Sequence, residues 1–238
     1  MLDDAEVQRA LCVMAHPDDV DFGSAGTVAA WVKQGIEVSY CLITDGDAGG
    51  FDPSVPRSEI AGIRRAEQTA AAAEVGVTDL TFLGYPDGRL VASLDLRRDI
   101  ARVIRQRRPD RVLCQSPERN YARIFASHPD HLAAGEATLC AVYPDARNPF
   151  TFTELMDEGL EAWTVREVWM GASAEPNRYV DITDTLDRKL AALRCHASQL
   201  PDADAVLERV RQWVTATAAA AGLPGGSAAE GYRVIETG

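Results

Sequence analysis

The chain has 238 residues, of which 46% are hydrophobic, 25% charged and 7% aromatic. That composition fits one α/β-sized folded domain and excludes disorder, collagen and coiled coil. A net charge of −12 argues against nucleic acid or an anionic membrane as a partner, because both recruit clustered Lys and Arg.

The opening segment MLDDAEVQRA is acidic and has no apolar stretch of the secretory type, and no later run reaches the roughly 18 apolar residues of a membrane span. A cytoplasmic protein is expected. Leu11–Ala15 is a short apolar run that reads as a buried strand. A helix follows over about Ser24–Gln34, with Ser24 as its cap and Gly35 past its end. Glu37–Ile43 is rich in β-branched and aromatic residues and predicts a second strand. The Gly/Asp/Pro-rich stretch Thr44–Arg57 is too long and too polar for a plain connector. A helix over about Ser58–Val75 leads to a strand at Leu80–Leu83. Leu96, Ile100, Val103 and Ile104 then share one helical face in a helix that starts near Ser93 and stops at Pro109. Arg111–Cys114 is the next strand, another helix begins after Pro129, and Val165–Met170 and Tyr179–Asp181 are later strands. Thr183 is a candidate cap for a helix carrying Leu186, Leu190 and Leu193, and a last helix covers about Ala203–Ala220. Strands that alternate with helices in this way predict a parallel sheet with helices on both faces.

The five cysteines, Cys12, Cys41, Cys114, Cys140 and Cys195, include no C-x-x-C pair and read as reduced thiols, three of them in strands. Zinc-ribbon, H-E-x-x-H, G-x-G-x-x-G and G-x-S-x-G motifs are all absent. Polar clusters fall instead where strands end, the place where open α/β sheets bind ligands. His16-Pro17-Asp18-Asp19 follows the first strand and Thr44-Asp45-Gly46-Asp47 the second. Ser127-His128-Pro129-Asp130-His131 follows the fourth. Three of the four histidines therefore lie beside aspartates. Two histidines and one carboxylate with an open position form a common catalytic zinc shell.

Ala15-His16-Pro17-Asp18-Asp19 with the distant His128-Pro129-Asp130-His131 resembles the PIG-L/LmbE-like family of metal-dependent N-deacetylases. Thr44-Asp45-Gly46, Arg64-x-x-Glu67, Gly84-Tyr85-Pro86-Asp87-Gly88, and Lys189 with His196-Ala197-Ser198-Gln199 are similar to further motifs of that family, so the resemblance covers most of the chain. It implies a Rossmann-like, mostly parallel sheet in a single domain over residues 1–238. It also implies His16, Asp19 and His131 as ligands of Zn²⁺, with Fe²⁺ or Co²⁺ able to occupy the same shell. Asp18 matches the general base and His128 the oxyanion-stabilising histidine, expected as an imidazolium oriented by Asp130. Arg64 and Asp87 match positions lining a sugar site. Two features depart from the pattern: Asp21 stands where Glu is frequent, and Ala126 where several sugar-specific members carry Tyr.

The partner so implied is a small N-acyl, amino-sugar-type molecule, with a homo-oligomer left open. The alternative substrate is a bulkier amide, such as a thiol conjugate or an acylated secondary metabolite. A non-catalytic binding protein with a structural metal is the reading from another class. The plainer alternatives for single residues are a helix-surface pair with Glu67 for Arg64, turn chemistry for Asp87 and helix packing for His196.

Overall fold

The protein is described over residues 1–238 by a computed structural model. Its central strand, β1 (Arg9–Met14), is buried along almost its whole length. β1 pairs in parallel with β2 (Glu37–Thr44) on one side and β4 (Arg111–Gln115) on the other. β3 (Asp79–Tyr85) extends the sheet beyond β2, and β5 (Glu167–Gly171) extends it beyond β4, again in parallel. Continuous apolar runs are what such strands require, because helices cover both faces.

The order is completed by two strands that run antiparallel to each other, β6 (Arg178–Asp181) and β7 (Ala229–Glu236), to give β3-β2-β1-β4-β5-β7-β6. β7 was not among the expected strands. Its segment, Ala229-Glu230-Gly231-Tyr232-Arg233, mixes charge and glycine into the apolar positions, and Glu230 is buried.

One face of the sheet is covered by α2 (Ala25–Lys33), α3 (Arg57–Glu74) and α7 (Leu186–Arg194), with Val28, Trp31, Ala71, Ala72 and Ala192 in its core. The other carries α4 (Leu94–Arg107), α5 (Pro129–Cys140) and the short α6 (Thr153–Asp157), with Leu96, Ile100, Ala134 and Leu155. α8 (Ala203–Ala220) adds a smaller cluster of Leu207, Val210 and Val214 against Leu190 and Leu193. No helix is long and apolar enough to cross a membrane. All five cysteines are free, and burial pushes the Cys41 and Cys114 thiols up to about 12.

Two expected caps are made differently. A short helix, α1 (Asp19–Gly23), precedes α2, and Ser24 does not cap α2 with its side chain. The Gly26 and Thr27 N–H groups donate instead to the Glu230 carboxylate, at 3.2 and 2.8 Å. That carboxylate also accepts from Lys189 Nζ at 2.7 Å, and Lys189 donates to the Asp21 and Phe22 carbonyls of α1. Thr183 binds Asp181 in a tight turn, and α7 begins at Leu186 without a side-chain cap.

From β1 the chain builds outward through β2 and β3, then returns to place β4 on the other side of β1. The carboxyl ends of β1 and β4 therefore flank the crevice where such sheets bind ligands. α5 packs hard against this edge: a Cβ at Gly135 would lie 2.4 Å from the Gln115 carbonyl oxygen. Glycine there lets the start of α5, with His128 and His131, settle over the end of β4.

Candidate metal and catalytic site

The loop after β1 turns sharply at Asp18, which adopts the left-handed conformation at φ 86° and ψ −25°. A non-glycine residue persists there only when its surroundings hold it. Gln68 Oε1 accepts the Asp18 N–H at 2.7 Å. Arg64 Nη2 donates to Asp18 Oδ2 at 2.9 Å and to the Pro17 carbonyl at 2.6 Å, and Arg64 Nη1 donates to the Gly46 carbonyl at 3.0 Å. Gly46 and Gly49 make room for this guanidinium, since a Cβ at either would lie 2.3 or 2.4 Å from Nη1.

His16, Asp19 and His131 converge just beyond this turn. Asp19 Oδ2 lies 3.2 Å from His16 Nδ1, and Asp19 Oδ1 lies 3.0 Å from His131 Nε2. Donors on a tetrahedral shell with bonds of 2.0–2.1 Å stand about 3.3 Å apart, and these two contacts, made by different Asp19 oxygens, have that spacing. The ring nitrogens of His16, His128 and His131 also gather within 4.8 Å of one another.

The opposite nitrogen of His16, Nε2, meets Asp87 Oδ1 at 3.0 Å and Asp130 Oδ2 at 3.3 Å. These three groups are also close enough to surround an ion. Like Asp19 Oδ2, which accepts the His16 N–H at 2.7 Å, both carboxylates also accept backbone N–H groups, Asp87 from Ala48 and Asp130 from Gly88 and Leu90. They are placed to fix the His16 ring, as carboxylates behind metal-binding imidazoles commonly do.

Electrostatics agree with a cation site. Burial would push the His16 imidazole down, yet Asp19, Asp130 and Asp87 around it hold it up at about 12. Burial likewise opposes ionisation of Asp19, but His131 and His16 keep it well below the usual carboxylate range. Three carboxylates around two imidazoles demand positive charge, from protons or from a metal. Asp18 behaves differently: burial raises it to about 6 against the pull of Arg64, with Asp19 adding to the rise.

Asp130 is not where its expected role puts it. Its carboxylate faces His16, while its backbone N–H donates to His128 Nδ1 at 3.2 Å. The helix start explains this. Pro129 opens α5, His128 caps it, and the Asp130 side chain turns down into the loop that holds Gly88 and Leu90. Burial, His16 and His131 lower the His128 pKa. The bond at Nδ1 makes that nitrogen an acceptor, and the downward shift favours the uncharged ring over the expected imidazolium. Arg64 and Asp87, matched to a sugar site, bind protein groups here: Arg64 the Asp18 turn, Asp87 the His16 ring.

Behind the turn lies a buried polar chain. His196 Nε2 and Gln68 Nε2 meet the same Asp21 oxygen, at 2.8 and 2.9 Å. Asp21 thus serves as acceptor at the position where Glu is frequent, and His196 is the packed histidine of its plainer reading. Gln68 went unnoticed in the sequence, although its place four residues after Arg64 puts both on one face of α3. On the other side, a cleft of about 580 Å³ opens against Asp19 and His131.

The PIG-L family model, described as GlcNAc-PI de-N-acetylase, matches residues 11–142. A diacetylchitobiose deacetylase of Thermococcus kodakarensis is 36% identical over 198 residues, covering 83% of this chain and 72% of the relative. A probable N-acetyl-alpha-D-glucosaminyl L-malate deacetylase 2 of Bacillus anthracis is 30% identical over 81% of each chain. Among solved structures, the N,N'-diacetylchitobiose deacetylase from Pyrococcus horikoshii superposes with a TM-score of 0.89 at 31% identity, over 97% of this chain and 85% of that one.

Proposed function

The chain belongs to the PIG-L family, described as GlcNAc-PI de-N-acetylases, and on that premise we propose that it is a metal-dependent hydrolase removing the N-acetyl group of an N-acetylglucosamine-type small molecule. The observation that carries this reading is the convergence of His16 Nδ1, Asp19 and His131 Nε2, with Asp18 beside it and tied to Arg64. The names of the two curated relatives share an N-acetylated glucosamine unit, which supports an amino sugar over other amides.

His16, Asp19 and His131 would hold the ion, and two imidazoles with one carboxylate suit Zn²⁺ while admitting Fe²⁺ or Co²⁺. When bound, such an ion supplies Lewis acidity toward the acyl carbonyl and the attacking water. Asp18 takes the proton from that water. A carboxyl near 6 is ionised at neutral pH and still basic enough for the task. Arg64 pins its Oδ2, and its Oδ1 has no protein partner. His128 donates its Nε2 proton as a hydrogen bond to the carbonyl oxygen as negative charge grows there. The leaving nitrogen then receives its proton from Asp18. A neutral His128 would have to become an imidazolate to supply it, whereas Asp18 already carries the proton taken from water.

The test is acetate release from N-acetylglucosamine, its methyl glycoside and N,N'-diacetylchitobiose, with metal content measured on the same preparation. Chelator-sensitive release with about one ion per chain is the expected result. Protein that holds no Zn²⁺, Fe²⁺ or Co²⁺ when these are supplied would remove the basis of the reading.

A further inference from the structure

The cleft beside Asp19 and His131 has a chemical character that acetyl transfer to water does not require. Its outer wall comes from α8, through Val206, Val210 and Trp213, and its rim carries Phe125, whose surface is 73% exposed. Two cations border these apolar groups, Arg123 and Arg209. The Arg123 guanidinium lies over two rings at once, 5.0 Å from the Trp213 centroid and 5.2 Å from that of Phe125. Neither Arg123 nor Arg209 is paired with a carboxylate, whereas Arg211 on the same helix pairs with Asp187. In a protein of net charge −12, two guanidinium groups without carboxylate partners stand on the wall of this cleft away from Asp19.

Apolar walls with a few placed polar groups are the usual anatomy of a small-molecule site. Resting on the deacetylase reading above, the geometry points to this cleft as the subsite for the remainder of the substrate: an apolar, ring-containing aglycone that carries a negative charge. Val206, Val210 and the parts of Trp213 and Phe125 that Arg123 leaves uncovered offer apolar surface to the ring. Arg123, held flat over Trp213 and Phe125, keeps its N–H edge for the anion. Arg209 adds charge from the solvent side.

The experiment compares kcat/KM for methyl, phenyl and 4-carboxyphenyl N-acetylglucosaminides by acetate release, and follows binding of the 4-carboxyphenyl compound by calorimetry. The phenyl glycoside should exceed the methyl one by about tenfold, the value of burying one ring. The carboxylate should add about fivefold more. Arg123→Gln and the exposed Arg209→Gln should each reduce that last gain and leave the methyl glycoside unchanged. Trp213→Ala should erase the phenyl preference. Equal kcat/KM on all three glycosides overturns the subsite and leaves the deacetylase intact. Absence of acetate from every glycoside overturns the deacetylase reading, and calorimetry then decides the subsite alone. Binding weakened by Arg123→Gln upholds it, and no binding to the unaltered protein overturns it.

Discussion

The Asp130 carboxylate stands 3.3 Å from Nε2 of His16, on the opposite side of the ring from the nitrogen that faces Asp19. With Asp87 3.0 Å from the same nitrogen, the ring cannot turn without losing two charged partners. Asp130→Asn and Asp87→Asn should each weaken metal affinity by about 10–100-fold, the usual effect of removing such an outer partner. Titration of the metal-free protein against a competing chelator measures this. Affinities equal to that of the unaltered protein would show that the His16 ring is fixed by something else.

Asp18 is assigned a different task from its sequence neighbour Asp19. Asp18→Asn should retain the ion and lose about 10²–10⁴-fold in kcat. Elemental analysis and acetate release on the same sample distinguish the two effects. Loss of the metal along with activity would instead make Asp18 a ligand.

The acid limb of the kcat/KM profile should fall near pH 6. Burial raises Asp18 to about 6 while Arg64 opposes the rise. The base works as the carboxylate, so activity is present above this value and declines as pH falls through it. Arg64→Gln leaves burial unopposed and should move the limb to higher pH. Arg64→Lys, which keeps the charge, should restore part of the shift. An acid limb that does not move in Arg64→Gln would assign it to another group.

Glu230 and Lys189 form an ion pair of 2.7 Å with both side chains almost fully buried. Glu230→Gln leaves the lysine charge uncompensated and should cost about 3–5 kcal/mol, as breaking buried pairs does. Urea unfolding monitored by tryptophan fluorescence reads the change. A loss below about 1 kcal/mol, the worth of a surface pair, would contradict the burial argument.

The parallel half of the sheet was legible because strands covered on both faces are mostly apolar, as Leu11–Ala15, Tyr40–Ile43 and Val112–Cys114 are. β7 was not, because Glu230 and Arg233 interrupt its pattern, and a buried glutamate looks like a surface residue until its partners are known. The cap of α2 failed for the same reason. A local rule favours Ser24, and no local rule reaches a carboxylate on the last strand. That His16, Asp19 and the His128–His131 segment lie near one another could be anticipated from strand ends, since topology gathers those ends, whereas the choice of His131 came from the family resemblance. The partner of Asp130 could not. Neighbours in sequence suggest His128, but a helix start sends the backbone N–H and the side chain of one residue in different directions.

The span of the Glu230 cap has a consequence for how the protein is made. Its bonds to Gly26 and Thr27 bridge 204 and 203 residues. On a ribosome, α2 emerges early and waits through synthesis of nearly the whole sheet before the carboxylate that caps it exists. Strand pairings of such long reach are slow to form. The capped start of α2 is therefore a late feature of folding, completed only once β7 has been made.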